Sequence, residues 1–291
     1  MSGFQYEAPV SVDEAVGLLA GAKGLAKVLA GGTDLLVQLR TGAVQPDMVV
    51  DVKRIDELRQ ISGNAASGFV IGAAVSGSEI GEHAALVKAW PGVVEGMELI
   101  GSTQIQGRAT PGGNLCNASP AGDCTPGLVA AGAICVVAGP KGRREIPVEQ
   151  VPVGPGKTSL AKGEFVVALK LPPRAKNSGD AYLRMIPRTE MDIAIVGAGV
   201  DLTLDASGTC THARVALGAV APTVLLVDAA AKALIGSKID DAALAKLAAA
   251  ASAACKPISD KRGTIEYRTK VAGVLARRAA VIARDRARSN G

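Results

Sequence analysis

The first fifty residues alternate helix signals with short apolar runs. Ser11-Val-Asp-Glu14 has the spacing of a capping box and predicts an amphipathic helix that continues to about Ala20. The apolar runs at 26–30 and 48–52 predict two buried strands, with a second short helix over 34–40 between them. This order of strand, turn, helix and strand is typical of a small ligand-binding lobe.

A second unit is predicted to begin near Ile55. Its hydrophobic pattern, supported by a capping box at Ser76-Gly-Ser-Glu79, predicts strands over 69–75, 133–138 and 164–171 and helices over 76–90 and 93–100. The stretch from Gly101 to Asp123 follows neither a helical nor a strand period, although it carries apolar residues. We therefore expect it to form a long functional loop.

The last third of the chain follows two prolines at 172 and 173. The polar segment 174–180 predicts a linker, and beyond it the pattern predicts strands over 193–204 and 212–220 and helices over 223–235, 240–254 and 264–288. The chain is therefore predicted to be α+β. We expect domains at 1–175, with subdomains of about 1–54 and 55–175, and at 176–291, joined flexibly near residue 175.

Composition excludes several classes of protein. Hydrophobic residues make up 48% of the chain and charged residues 20%, so a large core is available and general disorder is excluded. Aromatic residues are only 2%, which argues against a stacking platform for single-stranded nucleic acid. His83 and His212 are the only histidines, so an all-histidine metal site is excluded. No apolar stretch reaches the roughly 20 residues of a membrane span.

Cysteine usage and charge distribution narrow the field further. Five cysteines without a CxxC pair argue against a disulfide scaffold or an iron–sulfur cluster held by this chain, and favour the cytoplasm. The net charge of +5 is concentrated at the C-terminus, where residues 255–291 carry ten Lys and Arg against three carboxylates. Such a basic segment is compatible with a solvated helix face, a docking face for an acidic partner or, as the weakest alternative, nucleic-acid binding.

Two glycine-rich segments carry the candidate chemistry. Ala30-Gly-Gly-Thr-Asp-Leu35 follows a predicted strand and opens a helix, so its amides are placed to bind a phosphate or pyrophosphate. Thr110-Pro-Gly-Gly-Asn114 is a second segment of this kind. Taken singly, the first could be an ordinary turn and the second a packed loop in which Asp123 caps a helix over 125–132. Together they favour a ligand with two anchoring points, such as a dinucleotide.

The same two segments, with the run from Asn114 through Asp123 and the later segment 182–196, resemble the FAD-binding medium subunit of the molybdenum hydroxylases, the family of xanthine dehydrogenase and carbon monoxide dehydrogenase. The resemblance covers essentially the whole chain. It implies a two-subdomain FAD-binding fold of the vanillyl-alcohol-oxidase (PCMH) type, followed by a C-terminal α+β domain of the CO dehydrogenase flavoprotein type.

The resemblance also implies a set of FAD-binding residues, with amides around 31–35 and 110–114 on the pyrophosphate and Asp123 on the adenosine side. The full set is Ala30, Gly31, Gly32, Thr33, Asp34, Leu35, Gly101, Thr110, Gly112, Gly113, Asn114, Asp123, Leu169 and Arg184. It implies no acid–base catalytic residue and no metal ligand in this chain. Arg184 stands where a lysine is common, which keeps the charge but changes its geometry.

The function implied by the resemblance is electron transfer within a complex of three kinds of subunit. A large subunit would carry the molybdopterin cofactor and a small subunit the [2Fe–2S] clusters, in a dimer of heterotrimers that passes electrons through FAD to an external acceptor. Two alternatives stay open. One is a self-sufficient FAD oxidase or reductase; the other is a scaffold that binds partners through the C-terminal helix, whose apolar stripe comprises Ile265, Val271, Val274, Leu275, Val281 and Ile282.

Overall fold

The N-terminal lobe is built on a small parallel sheet. A computed structural model of the protein describes residues 3–290. Its first elements are β1 (Gln5–Glu7), α1 (Val12–Gly21), β2 (Ala26–Leu29), α2 (Leu35–Thr41) and β3 (Met48–Asp51). The strands pair in the order β1-β3-β2, all parallel. The predicted strand–turn–helix–strand order is confirmed, and the turn between β2 and α2 carries the first glycine segment.

The second unit is an antiparallel sheet covered by short helices. Its elements are β4 (Ile61–Asn64), β5 (Gly68–Gly72), α3 (Gly77–Glu82), α4 (Ala84–Ala89), α5 (Pro91–Glu98), α6 (Thr103–Gln106), α7 (Pro111–Cys116), α8 (Cys124–Ala130), β6 (Ile134–Gly139), β7 (Gly142–Pro147), β8 (Pro152–Gly154), β9 (Lys157–Thr158) and β10 (Phe165–Leu171). The main sheet has the order β4-β5-β10-β6-β7, while β8 and β9 form a separate hairpin.

The C-terminal part is a four-stranded antiparallel sheet packed against helices. The strands β11 (Ser178–Met185), β12 (Val196–Leu204), β13 (Cys210–Gly218) and β14 (Leu225–Leu226) are hydrogen-bonded in chain order, and α9 (Asp228–Leu234), α10 (Asp241–Ala254) and α11 (Ile265–Ser289) follow. Most of its buried residues form a core cluster of their own, while Ala216 and Val224 pack into the core of the second unit. Within residues 3–290, none of the helices combines the length and apolar character needed to cross a membrane.

The helix predicted over 76–90 is interrupted. The capping box at its start forms, because Ser76 and Glu79 exchange side-chain-to-backbone hydrogen bonds. At His83, however, the ring Nδ1 accepts a hydrogen bond from the Leu86 amide at 3.1 Å and starts a new helix. Local capping by a histidine therefore divides a segment that the hydrophobic pattern shows as continuous.

The stretch 101–123 contains helical turns that its sequence does not predict. Pro111 occupies the first position of α7, where its missing amide hydrogen costs nothing, and the Thr110 hydroxyl caps the Gly113 amide at 3.1 Å. Glycine and proline made this segment look irregular, but at a helix start both are favourable.

The polar segment 174–180 is only partly a surface linker, because Ala175 and Lys176 are exposed whereas 178–180 are buried and already belong to β11. The side chain of Arg174 is only 8% exposed and lies 4.0 Å from the centroid of the Trp90 ring. Its guanidinium pairs with Asp180 at 3.0 Å and with Asp201 at 2.6 Å. Asp180 in turn accepts a hydrogen bond from the Val93 amide at 3.2 Å. Two charged residues of this segment, Arg174 and Asp180, therefore pair with each other at the junction between the second unit and β11.

We predict that Arg174→Ala lowers the free energy of unfolding by about 3–5 kcal/mol, because it leaves two buried carboxylates without their cation. Arg143→Ala is the control, since Arg143 pairs with Glu57 on the surface and both side chains are more than 40% exposed. Its expected cost is about 1 kcal/mol or less. Equal losses for the two variants in denaturant unfolding would contradict a structural role for the buried cluster.

Candidate functional site

A cavity of about 430 Å³ lies between the N-terminal lobe and the second unit. Its walls come from the β2–α2 turn, from α7 with the residues before it, and from the chain that leads from β9 into β10. Both glycine-rich segments singled out in the sequence therefore face one cavity, although about eighty residues separate them along the chain.

The first glycine segment offers a row of free backbone donors to the cavity. The amides of Gly32, Thr33, Asp34 and Leu35 donate no hydrogen bond to any group in residues 3–290, whereas the Leu36 amide already bonds to the Gly32 carbonyl at 3.0 Å. Gly32 adopts a φ of +80°, which glycine tolerates and which turns the backbone here. Consecutive unpaired amides in a concave wall form an anion-binding nest.

The second glycine segment is fixed by its own hydrogen bonds. The Gly112 amide bonds to the Ala73 carbonyl at 3.2 Å, and the Asn114 amide bonds to the Thr110 carbonyl at 2.9 Å. The Asn114 side chain accepts a hydrogen bond from the Cys124 amide at 3.3 Å, so it holds the start of α8. This wall of the cavity is consequently rigid before any ligand binds.

The two glycine segments also support each other. A Cβ atom at Gly31 would lie 2.0 Å from the Arg108 carbonyl oxygen, so the backbones touch there without room for a side chain. Beside this contact, the Gln38 side chain donates to the Asn117 side chain at 3.2 Å. The shape of the cavity therefore depends on glycine at position 31.

Ten of the fourteen residues expected from the sequence line the cavity, and four do not. The lining residues are Ala30, Gly31, Gly32, Thr33, Asp34, Leu35, Thr110, Gly112, Gly113 and Asn114. Leu169 is fully buried in the middle of β10, where it is paired with Ile71 on one side and Cys135 on the other. The other three are Gly101, Asp123 and Arg184.

Gly101, Asp123 and Arg184 lie together behind the chain that leads into the cavity. The Arg184 guanidinium, 3% exposed, pairs with Asp123 at 3.1 Å and donates to the Leu99 carbonyl. The Gly101 carbonyl accepts a hydrogen bond from the Met191 amide at 3.1 Å. Ile100, which lies between the hydrogen-bonded carbonyls of Leu99 and Gly101, lines the cavity. The C-terminal part thus holds one edge of the cavity from behind.

Asp123 does not cap α8, as one interpretation of the sequence proposed. It has helical backbone angles, and its side chain makes no capping hydrogen bond. Burial raises the pKa of its carboxyl to about 6, and the nearby Arg184 guanidinium offsets only part of this effect. The carboxyl is instead half of a buried pair that joins α8 to β11.

Sequence reasoning missed polar residues that complete the cavity. Lys27 in β2 and Lys162 before β10 both line it and add positive charge, and Gln38 and Asn117 line it on the side of α2 and α7. Lys27 interrupts the apolar run at 26–30, and this break in the pattern was the signal in the sequence that could have identified it as a site residue. Burial raises the pKa of Asp34, the carboxyl that follows the free amides. The donor set of amides and lysines suits a ligand with phosphate groups.

Comparisons with known proteins define the class. The family described as the FAD binding domain in molybdopterin dehydrogenase matches residues 2–174, and the CO dehydrogenase flavoprotein C-terminal domain matches residues 181–282. The chain therefore belongs to the family of FAD-binding medium subunits of the molybdenum hydroxylases, which are oxidoreductases. The free amides and the glycine-lined cavity fit FAD, a cofactor with phosphate groups.

Named relatives and solved structures agree with this class. The carbon monoxide dehydrogenase medium chain of Hydrogenophaga pseudoflava is 35% identical over 95% of both chains. The putative xanthine dehydrogenase FAD-binding subunit of Escherichia coli is 32% identical over 75% of this chain and 74% of its own. A Cu,Mo-CO dehydrogenase structure matches with a TM-score of 0.93 and 35% identity over 98% of this chain and 99% of that chain. Quinoline 2-oxidoreductase from Pseudomonas putida 86 gives 0.89 and 28%, over 98% of both chains.

We predict that Gly31→Ala abolishes stable FAD retention, because the added methyl group forces the Arg108 backbone away and opens the cavity wall. Gly17→Ala is a matched control: Gly17 lies on the exposed side of α1, and a Cβ there meets nothing within 4 Å. We expect the control to keep its flavin and to gain up to about 1 kcal/mol from helix propensity. Flavin absorbance per chain after gel filtration measures the difference. Normal flavin content in Gly31→Ala would refute the conclusion that the contact between Gly31 and Arg108 determines the shape of the cavity.

We predict a stability that depends on pH through Asp123. Its folded pKa of about 6 exceeds the ordinary value of 3.8, so its protonated form stabilises the fold fully below about pH 4, and this contribution disappears as the pH rises through 6. Asp123→Asn should remove this part of the pH profile in denaturant unfolding between pH 4 and 7.5. The control Asp205→Asn should leave that interval unchanged, because the pKa of Asp205 is lowered by hydrogen bonds from Ser207 and Thr209.

Proposed function

We propose that this chain is the electron-transfer subunit of a heterotrimeric molybdenum hydroxylase. Its FAD would receive electrons from [2Fe–2S] clusters of a small partner subunit and deliver them to an external acceptor. The observation that carries the proposal is the single cavity on which two glycine segments meet, lined by free amides, in a chain whose relatives are medium subunits of such enzymes.

The residue roles within this proposal follow from the geometry of the cavity. The free amides of 32–35 would bind the pyrophosphate, with Lys27 and Lys162 adding positive charge, and the capped turn at 110–114, whose amides already donate within the protein, would form a rigid wall against it. Arg184, Asp123 and Gly101 would act from behind, by fixing the chain at Leu99–Gly101. Leu169 would contribute through its place in β10, whose first residues, Phe165 and Val166, line the cavity.

Bound FAD supplies the ability to accept and release electrons. The chain's own residues bind it, orient it and exclude water, and we assign no acid–base residue. No histidine and no tyrosine of residues 3–290 lines the cavity, and of its two carboxylates, Asp34 and Glu164, the second is already paired with Arg144 at 2.8 Å. The lining therefore holds none of the histidine, tyrosine or free carboxylate pair that a self-sufficient oxidase commonly uses as a base. Among the same residues, no cluster of His, Cys, Asp and Glu is arranged to hold a metal ion.

The assembly proposed is a dimer of heterotrimers in the cytoplasm, in which a large subunit carries the molybdopterin cofactor and defines the substrate. We also propose the division of this chain at residue 175 into an FAD-binding domain, 1–175, with subdomains of about 1–54 and 55–175, and a C-terminal domain, 176–291. Support comes from the two family matches, which end at residue 174 and begin at residue 181, and from a core cluster formed by residues 181–287 alone.

We predict that the purified chain carries one equivalent of FAD, which dithionite reduces and which small substrates reduce only after the molybdenum and iron–sulfur subunits are added. Visible absorption, followed by chromatography of the heat-released cofactor, measures both points. Direct reduction by a substrate without partners would transfer the assignment to a self-sufficient oxidase. A chain without flavin that takes up no added FAD would leave the scaffold alternative.

A further inference from the structure

Helix α11 is unusual in which residues it buries. The face packed on the sheet consists mainly of alanines, all fully buried: Ala272, Ala276, Ala279, Ala280, Ala283 and Ala287. Of the large apolar residues of α11 only Leu275 is buried, whereas Val274 is 40% exposed and Val281 and Ile282 are only half-buried. A helix with water on its outer face shows the opposite distribution, with large apolar side chains inside.

The exposed Val274 and the half-buried Val281 and Ile282 border a groove of about 900 Å³. Val274, Val281 and Ile282 of α11 line it together with Ala248 and Ala249 of α10 and Leu183 of β11. Positions 270, 274, 277, 278, 281 and 282 recur at helical spacing, so this stripe follows α11 for three turns. Its length from Lys270 to Ile282 is about 18 Å, which matches a short helix of a partner.

Charge around the groove has one sign. Lys270, Arg277 and Arg278 line it, and within residues 3–290 no carboxylate contributes to the lining. Arg277 pairs with Asp241 at 3.0 Å, but both side chains are more than half exposed and the pair is weak. Lys270 and Arg278 form no ion pair with the described residues. The groove also lacks aromatic side chains for stacking with bases, which argues against a nucleic acid.

We propose that this groove, the α11 groove, is the docking site for an acidic amphipathic helix of a partner subunit. The apolar side of that helix would cover Val274, Val281 and Ile282, and its carboxylates would face Lys270 and Arg278. The inference rests on the proposed function, because it requires that the chain works in a complex. The inference goes beyond that function by identifying the face of this chain that binds the partner and the chemistry of the partner's surface.

The test uses the full chain and, prepared separately from it, the molybdenum and iron–sulfur subunits. Val274→Glu and Arg278→Glu should each reduce the affinity for the partners at least tenfold, measured by titration of the isolated chain into the other subunits. Matched controls are Val153→Glu, an exposed valine in β8, and Lys232→Glu, an exposed cation in α9. The controls should assemble like wild type. Association of the wild type should weaken with added salt, and that dependence should be smaller in Arg278→Glu.

Flavin content separates the outcomes. Variants that keep FAD and reduction by dithionite but lose the partners support the α11 groove as the docking site. Normal assembly of Val274→Glu with intact flavin would overturn this inference and leave the electron-transfer function standing. A wild-type dimer that Val274→Glu converts to a monomer would overturn it as well, by assigning the groove to a second copy. A wild-type chain that binds FAD and associates with no subunit would instead refute the proposed function.

Discussion

The backbone contact between Gly31 and the Arg108 carbonyl fixes the distance between the two walls of the cavity. Because a Cβ at position 31 would fall 2.0 Å from that oxygen, the contact exists only for glycine. It brings the four free amides of 32–35 opposite the capped turn of α7. Helix α2 buries none of its residues, so the position of the first wall follows from this close approach and from the hydrogen bond between Gln38 and Asn117.

A second level of support comes from buried charges at the junction with the C-terminal part. Arg184 reaches from β11 to the Leu99 carbonyl and to Asp123, and Arg174 joins Asp180 and Asp201 beneath the Trp90 ring. Buried ion pairs contribute little net stability compared with apolar packing, but separating the members of a pair leaves an uncompensated buried charge. They therefore specify how the C-terminal sheet sits against α5 and α8.

Local sequence signals predicted the parts of the fold that depend on neighbouring residues. The strand–turn–helix of the first glycine segment, the helices α10 and α11 and most strands follow from periodicity and capping, and the family resemblance supplied the cofactor class. Contacts between distant residues were not accessible in this way. The segment around Arg174 looks like a linker until Asp201, on the neighbouring strand, is placed beside it. Likewise, the apolar stripe of α11 did not indicate that alanines would face the core. Alanine is only weakly apolar, but its small side chain allows the closest approach between a helix and a sheet.

The close packing of α11 on β11 connects the outer face of this helix with the cavity. A Cβ at Gly179 of β11 would lie 2.1 Å from the Ala283 carbonyl, so helix and strand are in backbone contact. From the same helix, Arg286 donates to the Asp180 carbonyl and pairs with Glu95 of α5, and Glu95 also accepts from the Tyr182 amide at 2.8 Å. Helix α5 leads directly into Leu99–Gly101, the chain that borders the cavity. Helix α11 is thus attached through its buried face to the residues that support the cofactor site. A partner bound to the outer face of α11 would be held in a fixed position relative to that site.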